Sequence, residues 1–93
     1  MTFKRNLRRG TSGSDVLYMK RKLFDAGYYA ASVPAVTHGT FGTDTLAAVR
    51  AFQRTNLDGE GRRLVVDGVI GRKTFDAVLR ASSMERDAEI PDT

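Results

Sequence analysis

Apolar residues recur along the chain in three helical stripes separated by long, mostly polar stretches. Val16, Met19 and Leu23 are spaced by three and four, with Leu17 and Phe24 on the shoulder of the stripe, and they predict a helix over 14–26. Lys20, Arg21 and Lys22 fall mostly outside that stripe. Thr45, Ala48, Val49 and Phe52 predict a second helix over 43–55, from which Arg50 and Arg54 project outward. Thr74, Ala77, Val78 and Ala81 predict a third over 72–81, its apolar face widened by Phe75 and Leu79. At the first helix, Ser12 or Ser14 offers an N-cap oxygen, Asp15 suits the positive helix end, and Gly27 stands where a C′ glycine belongs. After Ser82 the chain turns polar and acidic up to Pro91, which reads as a frayed tail or the start of a linker.

The helices share a launching motif. Residues 39–49 and 68–78 both read Gly-x-apolar-Gly-x-x-Thr-x-x-Ala-Val, every matched position offset by 29. A further shift by 29 lands on Gly10, Gly13 and Val16, with Leu23 where Phe52 stands. Such a period marks repeated loop–helix units. In each corner the first glycine permits positive φ and the second lets the backbone enter the helix closely. The apolar residue between them, Phe41 or Ile70, plugs the core like a hydrophobic staple. Thr45 and Thr74 sit in the first turn, where a hydroxyl can bond back to the loop backbone. The connections are about 15 residues long, well beyond the few that join antiparallel helices. A helix of about 13 residues spans about 20 Å, a distance such a connection can retrace. The expected fold is therefore all-α: a small three-helix bundle of roughly parallel helices joined by long return loops.

Ninety-three residues suffice for one small domain, taken as 1–81, with 82–93 as an acidic flexible tail or linker. No apolar run approaches the ~18 residues of a membrane span, and the basic N-terminus lacks the apolar stretch of a secretory signal. The chain is expected either to stay where it is made or to be a piece of a longer exported protein. Cysteine is absent, which removes disulfides, thiolate nucleophiles and cysteine-ligated zinc. His38 is the one histidine, too few for a typical catalytic zinc site. Neither a catalytic residue nor a metal or other cofactor is expected. The charge is uneven: residues 1–81 hold fourteen Lys/Arg against seven Asp/Glu, whereas Glu85, Asp87, Glu89 and Asp92 face Arg86 in the tail. A basic body attracts polyanions such as nucleic acid, teichoic acid or acidic glycans; solvated helix faces are the plain alternative.

With the corners placed, an ordered series emerges: Leu7, Gly10-x-x-Gly13-x-Asp15-Val16-x-x-Met19, Leu23 and Gly27-Tyr28. It continues through Gly39-x-Phe41-Gly42-x-x-Thr45-x-x-Ala48-Val49-x-x-Phe52-Gln53 and closes with Val66-Asp67-Gly68-Val69-Ile70-Gly71-x-x-Thr74 and Leu79. Over residues 5–80 the chain resembles a peptidoglycan-binding domain of the three-helix type attached to bacterial and phage cell-wall hydrolases. Three departures bear on ligand preference: Met19-Lys20 for the family's Leu-Gln, His38-Gly39 for Asp-Gly, and lengthened loops at 30–36, with Pro34, and 60–64. The resemblance implies noncatalytic binding of a glycan strand or stem peptide by a monomer, with a tethered hydrolase as partner, in the cell wall, the periplasm or outside the cell. A protein-interaction or regulatory module on the same fold is the alternative. A basic nucleic-acid binder ranks below both, because a helix-turn-helix needs a short turn between its helices.

Seven residues are candidates for ligand contact. Tyr28 and Tyr29 follow the first helix, where a ring with a hydroxyl could stack on a sugar; Tyr28 could equally pack over the helix end. His38 could meet a carboxylate when protonated, or simply fill a turn. Asp67 could contact ligand or brace its turn through backbone amides. Arg72 and Lys73, with Arg54 and with Arg62 and Arg63 nearby, could engage stem-peptide carboxylates or teichoic-acid phosphates. Cations at a helix start oppose its dipole, which hints at a purpose other than helix stability. Gln53 is expected to hold a loop backbone rather than a ligand.

Overall fold

The apolar stripes fold as three helices, α1 Ser14–Asp25, α2 Thr43–Thr55 and α3 Arg72–Glu89, in a computed structural model that describes residues 2–29 and 38–89. The loop at 30–36 and Pro91 lie outside the described residues. α1 packs against both α2 and α3. Val16, Met19, Leu23, Phe41, Val49, Phe52, Ile70 and Val78 are at most 1% exposed and form the centre of the core.

The ends of α1 show why it starts and stops where it does. At its C-terminus the amide of Tyr28 bonds the Leu23 carbonyl at 2.9 Å and that of Gly27 bonds the Phe24 carbonyl at 3.0 Å. With Gly27 at φ 89°, this is the Schellman arrangement that only a residue tolerant of positive φ closes easily. At the N-terminus the expectation of a serine cap is overturned. The N-cap is Gly13, with no side-chain cap bond. Ser12 instead pairs with Thr40, backbone to backbone and hydroxyl to hydroxyl at 3.3 Å. Asp15, in the first turn, accepts both the guanidinium of Arg5 and the amide of Val16.

α3 runs further than expected, through Glu89 rather than ending near Ala81. Ser82 is buried, and residues 83–89 contain no glycine or proline to stop the helix, the first breaker being Pro91.

The corners hold one another. Leu7 and Ile70 exchange backbone bonds of 3.1 and 2.8 Å, the Gly10 amide bonds the Phe41 carbonyl at 2.9 Å, and the Gly13 amide bonds the Gly39 carbonyl at 2.9 Å. Phe41 and Ile70 plug the core as the motif requires. The first glycine takes positive φ at Gly10 and Gly68 but not at Gly39. Gly39 is needed for space: a Cβ there would stand 2.8 Å from the Gly13 carbonyl oxygen. Among the described residues, the first-turn threonines bond side chains rather than the loop backbone. Thr45 Oγ1 accepts from the Tyr29 hydroxyl at 2.7 Å and Thr74 Oγ1 from the Gln53 amide at 3.2 Å.

Lys20 is a second correction. It is only 3% exposed, not on the outer face with Arg21. Its ammonium donates to the carbonyls of His38 and Thr40 at 2.6 and 2.7 Å. By the 29-residue register Lys20 occupies the position of Val49 and Val78, both fully buried. A charge at a core position survives because its stem packs while its head is satisfied by backbone oxygens. Burial holds its pKa below the ordinary lysine value, partly offset by Asp44.

Candidate functional site

The segment between α2 and α3 is organised by two side chains that do not belong to the repeat's apolar stripes. Gln53, 2% exposed, donates to Asp67 Oδ1 and the Val69 carbonyl, both at 3.0 Å. Its Oε1 accepts the amides of Asp67 and Gly68 at 3.2 and 3.0 Å. Asp67 Oδ1 in turn accepts the Val69 amide at 3.0 Å. Every polar atom of the Gln53 amide therefore shapes the turn that carries the chain into α3, and both turn expectations hold.

Asp58 organises the other end. Its Oδ1 accepts the amides of Glu60 and Arg62 at 2.8 and 2.9 Å, and its own amide donates to the Arg62 carbonyl at 2.7 Å. A backbone bridge pairs Leu57 with Arg63 just outside this loop. The Arg62 amide bond above all, then the Glu60 amide and the charges of Lys73 and Arg62, hold the Asp58 carboxyl below its ordinary pKa against the opposing effect of desolvation. Lys73 Nζ lies 3.9 Å from Asp58 Oδ2.

Between these two anchors lies a cleft of about 340 Å³, within the size range of small-ligand sites. Arg62, Arg63, Arg72 and Lys73 line it. Leu64, Val65 and Val69 supply its apolar wall, and Val65 is 73% exposed, with Leu57 and Val66 also exposed nearby in sequence. The Arg72 guanidinium lies over the Phe3 ring at 5.2 Å, a contact that holds its planar head at the mouth of α3. Such a cleft can pair with anionic groups and cover small aliphatic ones. Among the described residues no group of three or more His, Cys, Asp or Glu is placed to hold a metal ion, and no described helix is long and apolar enough to cross a membrane.

Residues 12–78, which include the corners that launch α2 and α3 and this cleft's Asp58-to-Thr74 wall, match the family model described as "Putative peptidoglycan binding domain". The chain belongs to this family. The peptidoglycan-binding domain is 34% identical over 80 residues to a spore cortex-lytic enzyme of Bacillus cereus, an alignment covering 86% of this chain and 27% of that protein. It is also similar to the crystal structure of a Burkholderia AP3 phage endolysin, with a TM-score of 0.63 and 36% sequence identity over 80% of this chain and 24% of that one. The chain thus spans about a quarter of the length of either relative.

The peptidoglycan-binding domain brings some of the candidate residues together and separates others. Asp67, Arg72 and Lys73 line the cleft; Tyr28, Tyr29, His38 and Arg54 do not. Tyr28 packs edge-on against Phe52 with ring centroids 5.1 Å apart, and its hydroxyl bonds Thr55 and Asn56 at 3.0 and 2.9 Å. It closes the end of the core. Tyr29 is half-buried with its hydroxyl turned inward to Thr45, and burial raises its pKa. His38 is exposed, and its carbonyl is held by Lys20. Arg54 is exposed on α2. Sequence reasoning missed Asp58 and Lys20; the register that aligns Lys20 with Val49 carried the signal for the second.

Proposed function

We propose that this domain binds the peptidoglycan wall without cleaving it, and so keeps an attached or associated wall hydrolase at its substrate in the wall or outside the cell. The supporting observation is that the family match spans all of α1 and α2, the corners that launch α2 and α3, and the cleft wall from Asp58 to Thr74, while the alignments reach only about a quarter of two lytic relatives. The cleft chemistry agrees with binding rather than catalysis. Its two carboxylates are engaged by backbone amides, and Asp58 is held in its ionised form, whereas a general acid needs a raised pKa. Four cations and an aliphatic wall suit retention of an anionic, methyl-bearing polymer.

The test is sedimentation of the purified chain with insoluble sacculi across a range of salt concentrations. Retention in the pellet without release of soluble fragments is the expected result. If the folded chain stays in the supernatant throughout, the reading fails.

A further inference from the structure

The cleft's composition bears on which part of the wall polymer enters it, a question that rests on the wall-binding reading above. Peptidoglycan offers two chemically different surfaces. The N-acetylated glycan is uncharged wherever its lactyl carboxyl is amidated by peptide, and the stem peptides carry free carboxylates and alanine methyls. Sugars are gripped by exposed aromatic faces flanked by hydrogen-bonding groups. Among the described lining residues none is aromatic, and four are cations.

The two acids in the lining leave two positive charges in excess, four cations against Asp58 and Asp67. Both acids are already occupied by the loop: Asp58 Oδ1 by two backbone amides and Asp67 Oδ1 by Val69 and Gln53. The ion pairs within reach are long, 3.9 Å for Lys73–Asp58 and 3.8 Å for Arg62–Glu60, beyond hydrogen-bond distance. Arg63 and Lys73 are exposed at the cleft. The 29-residue register sharpens the point. Asp15 and Asp44 stand in the first turns of α1 and α2, and Lys73 takes their place in α3, which has no acid in its first turn. Helix starts favour negative charge, so the reversal costs α3 some stability and adds a cation to the cleft.

We infer that the cleft receives a stem peptide through its free carboxylates, paired by Arg62, Arg63 and Lys73, with the Leu64–Val65 wall covering the peptide's methyl groups. Arg72, stacked on Phe3, borders the same space and adds to its field. The glycan strand then runs past the cleft rather than into it.

The experiment is an NMR titration of the 93-residue chain with four probes: a soluble stem peptide bearing free carboxylates, the same peptide amidated, peptide-free glycan strands, and a teichoic-acid phosphate polymer. The carboxylate peptide is expected to shift the amides of 62–74, and amidation is expected to weaken it about tenfold or more. The paired substitutions Arg63→Gln and Lys73→Gln, both at exposed positions, are expected to weaken it comparably without lowering the thermal melt. Equal binding of the amidated peptide overturns the inference. So does occupation of the cleft by peptide-free glycan or by the phosphate polymer in place of the peptide. Sacculus retention with a silent stem peptide overturns it while leaving wall binding intact; loss of sacculus retention overturns the wall-binding reading itself, and this inference with it.

Discussion

The ammonium of Lys20 donates to the carbonyl oxygen of Thr40 at 2.7 Å, from a helix position whose counterparts in α2 and α3 are buried valines. One bond therefore joins the middle of α1 to the corner that launches α2. The neighbouring bond to the His38 carbonyl, at 2.6 Å, makes the lysine a clamp on three consecutive loop residues.

Removing that clamp gives the first expectation. Lys20→Met keeps most of the stem and withdraws both donors, and charged hydrogen bonds of this kind contribute about 1–3 kcal/mol each when their partners are left unpaired. Because His38 and Thr40 are exposed, water can reach part of what is lost, so the total is expected near the lower end, about 1–2 kcal/mol. Urea unfolding at constant m-value measures it. A variant as stable as the parent would show that water replaces the ammonium without cost.

Lys20 also marks what a sequence discloses and what it conceals. The bounds of α2 were legible to the residue and α1 to within one, because apolar spacing and the corner glycines agree there. The stripe drawn for α1 omitted Lys20 since lysine is rarely buried, although the repeat register assigned it a core position. The end of α3 is misplaced in sequence because its acidic composition reads as a loss of helix, although acidic side chains do not break a helix and no glycine or proline comes before Pro91. The cleft was half legible. Arg72 and Lys73 stood out against the helix dipole, but the Asp58 loop lies in the stretch where the 29-residue pattern is silent. Packing over the helix end was legible for Tyr28 and not for Tyr29, the better ligand candidate of the two in sequence; the packing directs their hydroxyls to Thr55 and Thr45.

Gln53 sits where charge should be least tolerated. Gln53→Glu preserves shape but places a carboxylate against Asp67, whose Oδ1 now receives a hydrogen bond of 3.0 Å. Two carboxylates at that distance resist joint ionisation. The cost at neutral pH is expected to be roughly 2–4 kcal/mol. The new carboxyl's pKa would be raised in the folded state, so the lost stability returns as pH falls and disappears as pH rises through that pKa. Urea midpoints of parent and variant at pH 7.5 and 4.5 should converge on acidification. A gap that stays constant would refute the pairing.

The corner glycines differ in what they require. At Gly39 a Cβ meets the Gly13 carbonyl oxygen at 2.8 Å, whereas at Gly42 nothing lies within 4 Å. Gly39→Ala is expected to cost about 1–3 kcal/mol through backbone displacement. Gly42 is the N-cap of α2, with extended backbone and no side-chain cap bond. Gly42→Ser adds a hydroxyl cap and restricts the unfolded chain, for a gain of up to about 1 kcal/mol. Thermal melts of the two variants should move in opposite directions, and movement in the same direction would mean that the two corners do not have these separate roles.

Acid should loosen the N-terminal segment through Asp15. The Arg5 guanidinium bonds both its oxygens at 3.0 Å and also reaches the Ser12 carbonyl at 2.8 Å. The hydrogen bond from Arg5, foremost, and then its charge hold the Asp15 carboxyl below its ordinary pKa, against partial desolvation. Between the folded and unfolded values the unfolded chain binds more protons, so stability rises with pH there. The contribution is therefore complete above about pH 4 and is lost as pH falls through the lowered pKa. Arg5→Gln removes the guanidinium and should flatten the dependence of unfolding free energy on pH below about 4, leaving the part that belongs to Asp58, whose pKa is also lowered. Asp15→Asn should also flatten it, since it removes the titrating carboxyl itself together with the bond it accepts from the Val16 amide. Parent and variants with equal acid slopes would show that the pair is screened by water and does not tie residues 5–12 to α1.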